Sequence, residues 1–138
     1  MNNEISPEEF YHEKAGIMAE FGKIICISCG IVVNDSYIHV KSFYGHDEEN
    51  ILKEFNTMLV ENFFKPDHIL CAHNGKEFDF PYLCRRMLIL GIPIPDCLRI
   101  SGKKPWEVLH QDTMEMWKFG DYKSYTYLDL LAAVLNID

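Results

Sequence analysis

Residues 71–86 read Cys71-Ala72-His73-Asn74-Gly75-Lys76-Glu77-Phe78-Asp79-Phe80-Pro81-Tyr82-Leu83-Cys84-Arg85-Arg86. The apolar run at 68–72 predicts a short strand, Asn74-Gly75 is a turn pair, and a helical pattern runs from Phe78 to Leu90, where Gly91 ends it. Asp79 then stands at the start of a helix, just outside the carboxyl end of a strand, where open α/β sheets bind ligands. The same geometry has a plainer use. Asp is a favoured N-cap and Pro81 suits a first turn, so position alone favours a capping role for Asp79.

Working outward, Ser6-Pro7-Glu8-Glu9 is a good helix start, with Pro in the first turn and acids near the positive end of the helix dipole. The pattern predicts a helix over 6–20 that Gly22 ends. Two β-branched, apolar runs follow, 23–33 and 37–44. Asn34-Asp35-Ser36 joins them as a hairpin. Asp47 caps a helix over 48–64 with Ile51, Leu52, Phe55, Met58 and Leu59 on one face, and Lys65-Pro66-Asp67 breaks it. Residues 91–105 are loop-like. Residues 106–117 fit a short strand near 109–112 and then a short helix, and 125–135 form a last amphipathic helix. This order predicts one α/β domain over 1–138, a sheet with helices packed on it.

Composition agrees. The chain has 138 residues, 48% of them apolar and 13% aromatic, enough for a core and too many for a disordered chain. No apolar run approaches the roughly 18 residues of a membrane span, and acidic, polar sequence rather than a signal peptide follows Met1, so a cytoplasmic protein with no membrane partner is expected. The net charge of −8 argues against nucleic acid, but its distribution is uneven: 4 basic and 11 acidic residues fall in 1–62, against 6 basic and 3 acidic in 73–105. Scattered solvated charges and a site for an anionic substrate explain that basic third about equally. Cys26 and Cys29 have redox or zinc spacing, yet strand alternation puts them on opposite faces and no second ligand pair is evident. The five cysteines read as buried free thiols.

The string Asn-x-x-x-Phe-Asp-x-Pro-Tyr-Leu at 74–83, followed by Arg, closely resembles the second motif of DEDD-type 3′–5′ exonucleases, nearest to the proofreading domain of family B DNA polymerases and its stand-alone bacterial relatives. The stretch 19–27, Asp112, and Lys123-Ser124-Tyr125 leading into Leu128, Leu131, Ala132 and Leu135 resemble the flanking segments. The resemblance implies a ribonuclease H-like mixed sheet with flanking helices. It also implies hydrolysis at single-stranded DNA 3′ ends in proofreading or repair, by two Mg²⁺ or Mn²⁺ ions held on four carboxylates. It makes Asp79 a catalytic, metal-binding carboxylate. Asn74 and Phe78 become contacts to the 3′-terminal nucleotides, and Tyr82 a substrate-side residue that helps shape the helix start. Arg85 and Arg86 are more simply a solvated helix face. His73, His110 and Asp112 read as structural.

Two parts of the family pattern are missing. No strand carrying Asp-x-Glu precedes residue 23, and the late Tyr-x-x-x-Asp helix would lie beyond 138. Asp47-Glu48-Glu49 and Tyr125-Thr126-Tyr127-Leu128-Asp129 imitate these motifs, but in the wrong places. The first central strand and the last helix are therefore expected to be lacking, and this chain alone to be inactive. A non-catalytic nucleic-acid-binding module of the same fold is the alternative. Loss of the central strand leaves apolar sheet edges unpaired. Three outcomes are expected from that: self-association through those edges, direct pairing of the remaining strands, or a longer parent chain.

Overall fold

Runs of β-branched residues build the two strands of a hairpin. The computed structural model describes residues 6, 8, 11, 14–34, 37–63, 65 and 67–137. In it, β1 (Cys26–Asn34) pairs antiparallel with β2 (Tyr37–Tyr44), from Cys26 opposite Tyr44 to Val32 opposite Ile38, with one register irregularity before Asn34 meets Tyr37. Asp35 and Ser36 of the expected turn lie outside the described residues. α1 (Glu48–Asn62) is capped by Asp47, whose carboxylate accepts from the Asn50 N–H at 3.1 Å. All five apolar positions expected on its face are buried, each worth about 1.5–3 kcal/mol. Phe55 of that face meets Phe43 of β2 edge-on, ring centroids 5.7 Å apart.

α2 (Asp79–Ile89) ends as the sequence predicts. Gly91 takes φ +68°, its N–H donates to Leu88 O at 3.2 Å, and the Ile92 N–H donates to Met87 O at 2.8 Å. That is a Schellman closure, with Met87 and Ile92 both buried beneath it.

Further along, β3 (Cys71–Ala72) and β4 (Gln111–Asp112) pair in parallel, Cys71 opposite Gln111 and Ala72 opposite Asp112. α3 (Thr113–Lys118) and α4 (Leu128–Leu135) follow. By contact density the chain forms two units, Met1–Phe64 with Tyr82–Arg99, and Lys65–Pro81 with Ile100–Asp138. The class is the mixed α/β arrangement of small sheets and helices that the sequence predicts. Among the described residues the strands form two two-stranded sheets, and direct pairing into one larger sheet does not occur.

Several boundaries differ. The start of the expected 6–20 helix lies partly outside the described residues, and its end comes early: Ala15–Ile17 is a 3₁₀ turn and Met18 is extended. The N–H groups of Phe21 and Gly22 both donate to Met18 O, which closes a turn where helix was expected. α4 begins at Leu128 because Tyr127 is extended at the N-cap. The cysteines are free, but none is buried as expected: Cys26 and Cys71 are exposed, and Cys29, Cys84 and Cys97 are half-buried. Cys26 shares a face of the hairpin with Val32, Val40 and Tyr44, opposite the face of Phe43, and those three are exposed as well. No helix among the described residues is long and apolar enough to cross a membrane.

Candidate functional site

The parallel β3–β4 pair brings two strand ends together, and Asp112 closes the second. Its carboxylate is 4% exposed and accepts four backbone N–H groups: Asn74 at 2.8 Å, Met114 at 3.0 Å, Lys76 at 3.1 Å and Glu115 at 3.4 Å. Two of these donors begin α3 and two belong to the 73–78 turn. One side chain thus caps a helix and fastens the motif-bearing turn. Burial raises the Asp112 pKa, but the four donors outweigh it and hold the carboxyl below its ordinary 3.8.

The turn is tight for reasons visible in its residues. Asn74 adopts φ +62°, a left-handed conformation that Asn tolerates better than most residues. Gly75 is buried, and a Cβ there would lie 2.4 Å from Ala72 Cβ, so the chain needs glycine at that point. The N–H groups of Phe78 and Phe80 donate to Asn74 O and Gly75 O at 3.0 and 2.9 Å, winding the backbone into α2.

Two histidines brace this framework. His73 Nε2 donates to Thr126 O at 2.7 Å, and its Nδ1 lies 2.9 Å from Thr113 Oγ1. His110 Nδ1 accepts the Leu70 N–H at 3.1 Å, and its ring packs edge-on against Phe80 at 5.4 Å. Both occupy structural positions.

Asp79 is the first residue of α2 and is exposed. The partial burial of its carboxyl raises its pKa above the ordinary 3.8. A hydrogen bond to its own backbone N–H opposes this, and the negative charge of Asp112 adds to it. Asn74, Phe78 and Asp79 therefore fall in the unit organised by Asp112, with Phe78 42% exposed. Tyr82 lies one turn further along α2, and its hydroxyl donates to Gly16 O at 3.2 Å. A Cβ on Gly22 would meet that hydroxyl at 2.0 Å, so a larger residue there would displace the Tyr82 hydroxyl.

The family-implied metal centre can be tested against these donors. Two hard divalent cations need several convergent oxygen ligands. Among the described residues no group of three or more His, Cys, Asp or Glu side chains comes together to hold an ion. Asp112 is engaged with four N–H groups, Glu48 is paired with Arg86, and Asp129 Oδ1 accepts the Leu130 N–H. The described residues do not fit a two-ion site.

Arg86 corrects the sequence reading. It is 8% exposed, not solvated: Nε and Nη2 hold Glu48 Oε1 and Oε2 at 2.8 and 2.5 Å, and Nη1 donates to Ala19 O at 2.8 Å. Arg85 beside it is exposed as expected. Sequence reasoning also missed a cavity of about 470 Å³ beside Asn74, lined in part by Lys76, Lys103, Lys118 and Tyr122. The only advance signal was the basic balance of 73–105.

Comparison with known proteins identifies a family. A family model described as a predicted 3′–5′ exonuclease related to the exonuclease domain of PolB matches residues 17–137. No curated protein and no solved structure gives a significant match.

Proposed function

The chain belongs to that family of predicted 3′–5′ exonucleases related to the PolB exonuclease domain, and on this premise we propose that it is an exonuclease-type domain whose Asp79 corner meets the 3′ end of single-stranded DNA. The placement of Asp79 carries the reading. It opens α2 immediately after a turn whose backbone is fastened to Asp112, with Asn74 and the exposed Phe78 on that same turn. Asn74 offers an amide for hydrogen bonding to a terminal nucleotide and Phe78 a ring for stacking. In a complete metal centre, Asp79 would supply one of the carboxylate ligands.

Recognition is the role left to the described residues, because Asp79 alone does not hold two divalent cations and no group of three or more His, Cys, Asp or Glu side chains comes together among them. The second reading, a non-catalytic nucleic-acid-binding module, is favoured by that same lack of a convergent acidic cluster among them. A 5′-labelled single strand incubated with the chain and Mn²⁺ separates the two. The chain is expected to bind the strand and leave it uncut. Cutting that disappears in Asp79→Ala would make it an enzyme with Asp79 in its centre. Cutting that survives Asp79→Ala would remove Asp79 from the site.

The raised pKa of Asp79 adds a stability prediction. A carboxyl that resists ionisation in the folded state destabilises the fold above its unfolded value of 3.8, increasingly as pH rises through the higher folded value. Asp79→Asn removes that penalty. Its Tm relative to wild type is expected to be higher at pH 7 than at pH 3.5, and a difference that shrinks between pH 3.5 and pH 7 would contradict it. A functional carboxylate held at some cost to stability is the expected pattern at such sites.

A further inference from the structure

The cavity beside Asn74 has a lining that the reading above leaves unused, and we propose that it receives one nucleotide of a single strand, with Lys103 and Lys118 on its phosphate and Tyr122 against its base. This deepens the proposed function and rests on it. The cavity lies wholly within the unit of Lys65–Pro81 and Ile100–Asp138, and its volume of about 470 Å³ falls in the range of small-ligand pockets.

Its charges decide the ligand class. Three lysines and three acids line it, so by formal count it is no anion trap. The acids, however, are unequally available. Asp112 is buried beneath four N–H donors, and Glu115 is held by Lys76 at 2.7 Å. Asp112 keeps its negative charge, but its oxygens are taken up by those donors, so Glu77 is the lining acid whose oxygens are left to oppose Lys103 and Lys118, and those two lysines make no ion pair among the described residues. They are the cations of the wall available to the single charge of a phosphodiester.

The remainder of the wall is apolar, with Pro105, Val108 and the buried Met114 among its residues. Tyr122 lines the cavity while 84% exposed, so its ring offers a face for stacking. An apolar wall, an aromatic face and paired cations match the base and phosphate of one nucleotide. A base enters such a pocket only when unstacked, which selects single strands over duplex.

Fluorescence anisotropy with a labelled dT12 strand, in EDTA so that nothing is cut, tests this on the full chain. Lys103→Ala/Lys118→Ala is expected to weaken binding at least tenfold. It should also lower the slope of log K against log salt by about 0.7, the value for one phosphate no longer neutralised on a single strand. Tyr122→Ala is expected to weaken binding about tenfold with the slope unchanged. Lys53→Ala, an exposed lysine on α1, should stay within twofold of wild type. Unlabelled dTMP and unlabelled dT12 serve as competitors. Displacement by both assigns the pocket to a nucleotide unit whether free or in a strand, and displacement by dT12 alone assigns it to the strand.

Three results overturn the proposal: no binding by the wild-type chain, a double variant that binds as wild type does, or a Lys53→Ala loss equal to that of the double variant. The exonuclease reading fails separately, on Asp79. Cutting that survives Asp79→Ala sinks that site while a lysine-dependent anisotropy signal leaves the pocket standing.

Discussion

Replacing Arg86 with alanine is expected to destabilise the protein by about 3–5 kcal/mol, because it strands the Glu48 carboxylate in a buried site with one remaining donor. Arg86 meets both carboxylate oxygens of Glu48 and donates a third hydrogen bond to the carbonyl of Ala19, a residue only 1% exposed. Once the guanidinium is gone, the hydrogen bond left to Glu48 among the described residues is the Ile24 N–H at 2.8 Å. That single contact does not replace the hydration the carboxylate gave up. The residue thus joins three segments: the chain entering β1, the start of α1, and the Tyr82–Ile89 part of α2. Urea unfolding followed by circular dichroism measures the loss, and a change below about 1 kcal/mol would show that water reaches Glu48.

The pair is expected to be strongly coupled. Arg86→Met/Glu48→Leu should cost less than the sum of its single variants by about 1–3 kcal/mol, since neither remaining side chain is then an unpaired charge. The pH dependence has a definite sign. Burial alone would raise the Glu48 pKa. The hydrogen bonds from Arg86 and the Ile24 N–H, with the charges of Arg86 and Lys23, outweigh burial and hold it below its ordinary 4.5. Its contribution is therefore full above 4.5 and is lost as pH falls through the lower folded value.

Arg86 also shows where sequence reading stops. Local features were legible because each depends on residues a few positions apart. The hairpin follows from the β-branched, apolar runs 23–33 and 37–44 with turn residues between them, the α1 core face from helical spacing, the Asp47 cap from an Asp before Glu48-Glu49, and the α2 terminus from Gly91. Even the two-residue β4 fell within the expected 109–112 strand. Arg86 was misread because periodicity scores it as polar and hence solvated. What buries it is Glu48, 38 residues earlier, and no local pattern announces such a partner.

The same limit governs the site. Asp79 was found because a motif of adjacent residues marks it. The Lys103 and Lys118 cavity was not, because its lining is drawn from Asn74 through Tyr122 and takes form only when β3 and β4 pair. The early end of the first helix has a different cause. Gly16 lowers helical preference locally, and the Met18 carbonyl is taken by Phe21 and Gly22.

Asp112→Ala carries the other large effect, expected at about 3–5 kcal/mol, since four backbone donors lose a buried acceptor at once. Asp112→Asn distinguishes geometry from charge. Oδ1 accepts from Asn74, Met114 and Glu115, and an amide oxygen in its place keeps those three bonds. Oδ2 accepts from Lys76, and an amide nitrogen there sets donor against donor. The Asn variant should therefore lose only about 1–2 kcal/mol. Equal losses for Asn and Ala would instead mean that the negative charge, not the bonding pattern, stabilises the turn. Acid should erase the contribution in a predictable window. The folded pKa lies below 3.8, so the Asp112 contribution is intact above that value and disappears as pH falls through the lower one. Wild type should lose Tm more steeply than Asp112→Ala in that range. Because Asp112 also fastens Asn74 in its left-handed conformation, the Ala variant should weaken dT12 binding even where the protein remains folded. Full-strength binding by folded Asp112→Ala would show that the 73–78 turn holds its shape without this anchor.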